Sequence, residues 1–275
     1  MIEAAGVVLD GVGMTFEGRH DSLDAIADVS GHVPDGRFVS VIGPSGCGKS
    51  TLLDIVAGLR RPSRGTVWID GVPVDGPRPD TATVFQEDST LHWRTALENV
   101  ALGLEVRHVA KAERRRRAQE MLELVGLQGF ERHHPRQLSG GMKQRVAIAR
   151  ALVLEPRVLL MDEPFGALDQ QTRVFVGREL TRIWEQTRNS VLFVTHDIHE
   201  AVALSDEVWV MSHRPSRIVE TVVVDLGRPR PANLIASARY QKLTAHLWEL
   251  IKTEAGRSLA PDVASLETAS LDPIP

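Results

Sequence analysis

The sequence has little cysteine and no long apolar run. Its 275 residues include one cysteine, Cys47, which excludes an internal disulfide and favours a reducing compartment. No apolar stretch approaches the roughly 20 residues that a membrane-spanning helix needs, so any spanning segments are expected to belong to other subunits. The start, Met1-Ile2-Glu3-Ala4-Ala5, lacks the basic region and apolar core of a signal peptide, which predicts a cytoplasmic protein.

A strong charge of either sign is also absent. The 32 basic and 36 acidic side chains give a net charge of −4, so nothing indicates a general electrostatic affinity for nucleic acid. Apolar residues make up 43% of the chain and charged residues 25%, which is typical of a globular protein. The length allows one or two domains.

One glycine-rich segment indicates phosphate binding. Gly43-Pro44-Ser45-Gly46-Cys47-Gly48-Lys49-Ser50-Thr51 fits the spacing G-x-x-x-x-G-K-[ST], with an apolar strand pattern before it and a helical pattern after it. Backbone N–H groups and a helix amino terminus would face phosphate oxygens, Lys49 would add a charge and Ser50 a Mg²⁺ ligand. The alternative, a glycine turn capped by a serine, leaves the lysine unexplained.

Cys47 lies within this predicted loop, near a helix amino terminus and a lysine. Both features lower the pKa of a thiol. We therefore expect a reactive thiol, whose alkylation blocks nucleotide binding and which a bound nucleotide protects.

The segment from residue 7 to 40 alternates apolar and polar residues in short runs, which predicts antiparallel strands. Further strands are predicted at 65–71 and 83–86. Phe16 on this sheet is either a core residue or a flat surface for a nucleotide base. Gln86, at a strand end, is either a solvated terminus or a group that orients a Mg²⁺ ion or an attacking water.

Helical periodicity replaces the strands from about Asp88 to Pro156 and predicts an inserted all-helical subdomain. Its run of arginines, 114–117, fits a solvated helix face or, alternatively, contact with lipid head groups. Ser139 reads as a helix N-cap. The glycines that follow it, Gly140 and Gly141, leave that helix start open as a second anion site.

Two buried strands are each followed by polar residues. The first, 157–161, ends in Asp162-Glu163, and the second, 190–195, ends in His196. Ligands of parallel sheets bind beyond the carboxyl ends of the strands. We expect Asp162 to support Mg²⁺ and Glu163 to orient or deprotonate the attacking water; a helix N-cap pair is the alternative. His196 becomes a candidate for contact with the γ-phosphate.

These segments, in this order, resemble the ATPase subunits of ABC transporters over about residues 7 to 225. The resemblance rests on the phosphate loop, Gln86, Leu138-Ser139-Gly140-Gly141-Met142, Asp162-Glu163, Phe165-Gly166-Ala167-Leu168-Asp169 and His196. It implies an α/β P-loop NTPase fold with a mostly parallel RecA-like core sheet, an N-terminal antiparallel β subdomain and an inserted helical subdomain at about 88–156. This ATPase domain would span 1–228. Residues 229–275 would form a short helix, roughly Leu234 to Ile251, and a flexible tail.

The resemblance also implies ATP, Mg²⁺ and a head-to-tail homodimer, in which the phosphate loop of one subunit and Ser139 to Gly141 of the other close over one ATP. Its implied site residues are Phe16 against adenine, the loop with Lys49 on phosphates, Ser50, Gln86 and Asp162 at Mg²⁺, Glu163 as catalytic base, Asp169 across the dimer and His196 at the γ-phosphate. Gly166 is a departure, because the family often has serine there.

The segment Val84 to Thr95 is similar to the matching loop of nitrate, sulfonate, taurine and bicarbonate importer ATPases, although His92 departs from their Leu-Pro-Trp pattern. This implies a permease that contacts Gln86 to Trp93, an extracytoplasmic binding protein, and a peripheral location at the cytoplasmic face of the inner membrane. Alternatives are a non-transport ABC ATPase acting on nucleic acid or the ribosome, a nucleotide switch without turnover, and an exporter. No nucleic-acid partner is expected.

Overall fold

The computed structural model describes residues 5–18, 21–87, 89–231 and 233–268, with side chains up to Arg257. The described chain forms ten β-strands and seven α-helices. The strands are β1 (Gly6–Glu17), β2 (Ser22–Pro34), β3 (Phe38–Ile42), β4 (Arg64–Ile69), β5 (Val72–Pro73), β6 (Thr81–Val84), β7 (Val158–Asp162), β8 (Ser190–Val194), β9 (Glu207–Met211) and β10 (Ser216–Val223). The helices are α1 (Lys49–Val56), α2 (Ala96–Val106), α3 (Lys111–Leu124), α4 (Gly140–Leu152), α5 (Gln170–Thr187), α6 (Ile198–Leu204) and α7 (Ala238–Thr268).

All strands belong to one sheet, in the order β5-β4-β1-β2-β10-β9-β3-β8-β7-β6. Strands β9, β3, β8, β7 and β6 are parallel to one another and form the core half. Strands β1, β2, β4 and β5 are antiparallel and form the N-terminal half. Strand β10 joins the halves, since it pairs parallel with β2 and antiparallel with β9. The predicted α/β class is confirmed, and so are its mostly parallel core and its N-terminal antiparallel part.

Strand β3 corrects one expectation. The sequence pattern groups residues 38–40 with the antiparallel strands, whereas β3 pairs parallel with both β8 and β9. All five of its residues are buried. A strand covered on both faces has no polar alternation, and β3 is therefore placed in the middle of the parallel half.

Helices α2, α3 and α4 lie between β6 and β7, as the predicted helical insertion requires. They enclose a core of their own, which contains Leu104, Leu122 and Val146. Helix α4 also packs Ile148 and Leu152 against the parallel half of the sheet. The inserted helices are therefore joined to the sheet through α4.

The C-terminal helix differs from its prediction. It begins at Ala238 rather than Leu234, and it continues to Thr268 rather than ending near Ile251. Tyr240, Leu243 and Leu247 are buried in a cluster that also contains Ile42 of β3. A helix anchored by tertiary contacts can extend through residues of low intrinsic propensity, so composition alone wrongly predicted a flexible segment here. Residues 269–275 lie outside the described residues.

None of the helices in the described chain is both long enough and apolar enough to cross a lipid bilayer.

Candidate nucleotide site

The phosphate loop connects buried β3 to the start of α1. Gly48 is the N-cap of α1 with φ 99°, and no side chain caps the helix. The backbone N–H groups of this first turn are therefore left for an external acceptor. Gly43 must be glycine because an added Cβ would lie 2.8 Å from the Met211 carbonyl oxygen. The loop has the open concave backbone that phosphate groups need.

Lys49 is the buried cation of this loop, with 7% of its surface exposed. Its Nζ donates hydrogen bonds to the carbonyl oxygens of Gly43 and Pro44 at 2.9 and 3.0 Å. Both hydrogen-bond partners are neutral, so neither of them supplies a charge that balances the ammonium group. An anion bound in the loop would supply that charge.

Cys47 is not the reactive thiol that its position suggested. Its side chain is 1% exposed, with Sγ 3.9 Å from Lys49 Nζ. Burial raises the pKa of the thiol, and the nearby lysine only partly opposes this shift. The sequence argument counted the cation and the helix terminus, which lower a thiol pKa, but could not weigh them against burial.

Asp162, at the carboxyl end of β7, is the carboxylate best suited to a metal ion. It is 9% exposed, and its Oδ1 atom is buried without a hydrogen-bond partner. Burial raises the pKa of Asp162, while the neighbouring Ser50 hydroxyl opposes the shift. A buried, unpartnered carboxylate oxygen is costly unless a cation balances it. The donor set of carboxylate and hydroxyl oxygens fits Mg²⁺.

The described residues contain no group of three or more His, Cys, Asp or Glu side chains arranged to hold a metal. This agrees with the chemistry of Mg²⁺ at phosphate loops. Such ions take one or two protein ligands and complete their octahedron with substrate phosphates and water.

Three of the predicted catalytic side chains meet at one atom. His196 Nδ1 lies 3.0 Å from Glu163 Oε2, and Gln86 Nε2 donates to the same oxygen at 3.4 Å. The three residues follow β8, β7 and β6, which are adjacent parallel strands. Because those strands end at one sheet edge, residues far apart in sequence form one polar cluster beside Asp162.

Glu163 has an unusual backbone conformation. Its φ is +43°, and its N–H donates to the Val194 carbonyl oxygen at 2.9 Å. Left-handed conformations are uncommon for residues other than glycine and cost of order 1 kcal/mol. Here the bond to β8 holds the backbone so that the carboxylate faces His196.

The predicted second anion site is a helix start. Ser139 is the N-cap of α4 and accepts a hydrogen bond from Met142 N at 3.3 Å. An added Cβ on Gly140 would meet no atom within 4 Å, whereas one on Gly141 would lie 3.2 Å from Leu168 Cδ2. The segment Ser139–Gly141 is therefore exposed on one side, and on the other side it packs against Leu168, the residue before Asp169.

Asp169 caps helix α5. Its Oδ1 accepts hydrogen bonds from Gln171 N and Thr172 N at 3.1 and 3.0 Å. The side-chain and backbone hydrogen bonds of Thr172 lower the pKa of this carboxyl group. Asp169 is thus a fixed anion at a helix start, next to the glycine segment of α4.

Phe16 lies near the end of β1, and its half-buried ring packs against the core of the sheet. The Arg60 guanidinium lies over the ring at 5.0 Å from its centroid. Both the core position and the stacking platform remain compatible with this geometry, so contact with adenine stays a prediction.

Asn99 of α2 and Gln144 of α4 organise the loop after β6, and the sequence analysis did not single them out. Asn99 is fully buried; its Nδ2 faces the carbonyl oxygens of Leu91, Arg94 and Thr95 at 3.2, 3.1 and 2.9 Å, and its Oδ1 accepts from Leu91 N at 2.8 Å. Gln144 is also buried and donates to the Phe85 carbonyl oxygen at 3.3 Å. An asparagine within an apolar helix pattern was the only available signal.

Trp93 lies on the same loop and is 73% exposed. It lines a cleft of about 540 Å³ together with Leu97 and Arg132. A large aromatic side chain that is exposed beside a cleft is typical of a protein interface.

Comparisons with known proteins agree with this geometry. The family described as ABC transporter matches residues 26–166. The chain belongs to the ATP-binding proteins of the ABC transporters. As a member of this family it is an ATPase.

Several relatives are transporter subunits. An uncharacterized ABC transporter ATP-binding protein of Methanocaldococcus jannaschii is 47% identical, covering 89% of this chain and 90% of its own. The nitrate import ATP-binding protein NrtD of Synechococcus elongatus is 46% identical over 85% of this chain and 87% of its own length. The taurine import ATP-binding protein TauB of Yersinia pestis is 46% identical over 76% of this chain and 82% of its own length.

Among solved structures, the dimeric ATP-binding cassette MJ0796, bound to ADP and Pi in a post-hydrolysis state, superposes with a TM-score of 0.74 at 34% identity. The matched region covers 80% of this chain and 100% of the MJ0796 chain. The predicted family and fold are confirmed.

Proposed function

We propose that this ATPase powers the import of a small anion, such as nitrate, a sulfonate, taurine or bicarbonate, through a separate permease. The import ATP-binding proteins NrtD and TauB, each 46% identical, support this class of substrate. The observation that carries the catalytic part is the meeting of Gln86, Glu163 and His196 at Glu163 Oε2.

Glu163 is the proposed catalytic base. Its carboxylate takes the proton of the attacking water, while His196 and Gln86 fix the orientation of Oε2 by hydrogen bonding. His196 contacts the γ-phosphate, and Lys49 with the loop amides holds the β- and γ-phosphates. The buried lysine would lie beside the transferred group and stabilise its negative charge.

Ser50, Gln86 and Asp162 are the residues that would hold Mg²⁺. When bound, the ion neutralises charge on the phosphate oxygens. Asp162 matches this role because its buried Oδ1 has no other partner.

The functional unit is proposed to be a head-to-tail homodimer. Ser139, Gly140 and Gly141 of one copy would bind the nucleotide held by the phosphate loop of the other, with the exposed start of α4 facing its phosphates. Asp169, which lies next to that helix start, would signal across the dimer. The dimeric solved structures of MJ0796 support such an assembly.

The loop from Gln86 to Trp93 is the proposed permease contact. It begins at the Glu163 cluster and ends at an exposed tryptophan beside a cleft, so a change at the nucleotide can reach a bound permease helix. The subunit would then be peripheral, on the cytoplasmic face of the inner membrane, in a complex that includes an extracytoplasmic binding protein.

Two exposed tryptophans allow a matched test. Trp93 is 73% exposed at the proposed contact, and Trp248 on α7 is 60% exposed elsewhere. We expect tagged chain to co-purify a multi-span membrane protein from mild detergent, and Trp93→Ala to lose it while keeping its own ATPase activity. Trp248→Ala should retain the membrane protein. Equal recovery by both variants would contradict the assignment of the contact.

A further inference from the structure

The position of the His196 imidazole depends mainly on the backbone that carries it. The side chain is 62% exposed, and Glu163 is its one hydrogen-bond partner among the residues that the structure describes. A side chain with so few contacts keeps its place only if its supporting residues are themselves fixed. The residues that flank His196 therefore matter for any contact that it makes with a phosphate.

Both neighbours of His196 are tied to the helix that follows. Asp197 Oδ1 accepts hydrogen bonds from the backbone N–H groups of His199 and Glu200 at 2.7 and 3.3 Å, so Asp197 caps α6. Thr195 Oγ1 accepts from Asp197 N at 3.0 Å and donates to Glu200 Oε2 at 2.6 Å. The loop that carries His196 is thus fastened to two carboxylates, those of Asp197 and Glu200.

One guanidinium group of α5 contacts both of these carboxylates. Arg173 Nη1 donates to Asp197 Oδ2 at 3.1 Å and lies 3.4 Å from Glu200 Oε1. The exposed fractions of the three side chains are 22% for Arg173, 25% for Asp197 and 11% for Glu200. Partly buried pairs are screened less than surface pairs, and removal of one partner leaves the other charge unbalanced. Loss of Arg173 would leave two neighbouring carboxylates without their shared cation.

The same guanidinium group also reaches a second loop. Arg173 Nη2 donates to the Leu168 carbonyl oxygen at 3.4 Å, and Leu168 precedes Asp169, which caps α5. Leu168 is also the residue against which Gly141 packs at the start of α4. Arg173 therefore joins the His196 loop, through one nitrogen, to the segment before α5, through the other.

We propose that Arg173 is a positioning residue for ATP hydrolysis, which holds the His196 loop against the segment that contains Asp169. Arg173 is not among the proposed nucleotide contacts; it acts through Asp197 and Glu200, which fix the backbone on the carboxyl side of His196. The inference rests on the proposed role of His196 at the γ-phosphate. It adds a direct link between that group and the segment that would meet a second copy of the chain.

Steady-state kinetics provide the first test. Arg173→Gln keeps the side chain long and polar but removes its charge. We expect kcat for ATP hydrolysis to fall about tenfold, as for the loss of one charge-assisted contact. The value of kcat/KM should fall equally, because the phosphate loop still binds ATP. Arg182→Gln is the matched control, since Arg182 is exposed on the same helix and pairs with Glu179 at 3.1 Å. Its turnover should equal that of the unmodified protein.

A double variant tests whether Arg173 acts through His196. His196→Ala should lower turnover by itself. Arg173→Gln in that background should change the remaining rate by less than about twofold, since the effects of residues that act as one unit do not add. A general loss of stability would instead lower the rate in both backgrounds, and urea unfolding of each variant measures that loss separately.

A spectroscopic measurement does not depend on turnover. In protein labelled at its ten histidines, the imidazole NMR signal of His196 is identified by its absence in His196→Ala. This signal should shift in Arg173→Gln and keep its position in Arg182→Gln. The signal of His246, which bonds to Glu220 on β10, should keep its position in both variants and serves as the internal control.

Asp197→Asn provides a second route if Arg173→Gln does not fold. Asparagine still caps a helix but lacks the charge that pairs with Arg173. This variant should lower turnover, and the loss should likewise disappear in the His196→Ala background.

Three outcomes would overturn the inference: turnover of Arg173→Gln equal to that of Arg182→Gln, an unshifted His196 signal in Arg173→Gln, or an equally large loss in the His196→Ala background. A loss in His196→Ala without one in Arg173→Gln would contradict the inference alone. Full turnover by His196→Ala would contradict the proposed role of His196, and the inference with it.

Discussion

Replacement of Asn99 should loosen the loop that joins the catalytic cluster to the proposed permease contact. The Asn99 side chain is 0% exposed, accepts from Leu91 N and shares its two amide hydrogens among three carbonyl oxygens of residues 91–95. Asn99→Ala removes all of these bonds at once. A buried peptide group left without a partner costs about 1–3 kcal/mol. We count two such groups and take the lower end of that range, because the loop can relax. The loop should therefore lose about 2 kcal/mol of local stability.

Hydrogen exchange measures this loss directly. The Leu91 amide, which is protected only while it is bonded to Asn99 Oδ1, should exchange about 30-fold faster in Asn99→Ala, since 1.4 kcal/mol corresponds to a factor of ten. Helix α1, which is remote from this network, should keep its protection. ATP hydrolysis by the isolated chain should remain, whereas ATP-driven transport with the permease should fall.

Gln119→Ala is the matched control, because it also truncates an amide side chain on a helix of the inserted subdomain, but at an exposed position on α3. It should leave the exchange of Leu91 unchanged. If Asn99→Ala also left that exchange unchanged, the network would not hold the loop, and the reasoning would be refuted.

Two further predictions follow from burial. Because burial raises the pKa of the Cys47 thiol, N-ethylmaleimide should label it more slowly than a free cysteine at pH 7 to 9, with the rate rising only at higher pH; a labelling midpoint below the usual thiol pKa of about 8.5 would contradict this. Arg228→Gln removes an ion pair to Asp206 at 3.0 Å and a stacking contact to Trp184 at 4.1 Å. Urea unfolding should therefore show that the free energy of unfolding falls by about 2–4 kcal/mol. The control Arg217→Gln, at an exposed position, should lower it by less than about 0.5 kcal/mol.

Local patterns were sufficient where the site is a continuous segment. The phosphate loop could be predicted because the whole feature is continuous in sequence: the entering strand, Phe38–Ile42, is followed directly by the turn glycines, the lysine and the helix start in residues 43–51. The helix that follows Ser139 could be predicted for the same reason, since an N-cap and its first turn are adjacent in sequence.

Contacts between distant segments could not be predicted in this way. Gln86 and Glu163 are 77 residues apart, and Glu163 and His196 are 33 apart. Their convergence on one oxygen depends on the strand order, which the strand patterns alone do not determine. The resemblance to a known family supplied the roles of these residues, but the shared atom is visible only in the folded chain.

Burial is the other quantity that the sequence did not provide. Cys47 has the neighbours of a reactive thiol but is 1% exposed, and this reverses the expected direction of its pKa shift. The end of α7 shows a related limit, because its composition is that of a flexible tail while Tyr240 and Leu247 anchor the start of the helix on the sheet.

The central claim is that Glu163 deprotonates the attacking water within a site completed by a second copy. It is tested most directly by ATP turnover and sedimentation of Glu163→Gln in ATP and Mg²⁺. We predict a loss of turnover of at least about 100-fold, as expected for removal of a general base, together with unchanged ATP binding and a stable ATP-bound dimer. Glu120→Gln, an exposed and surface-paired control, should hydrolyse ATP normally and not accumulate as a dimer. Normal turnover by Glu163→Gln, or an inactive variant that binds ATP only as a monomer, would contradict the account.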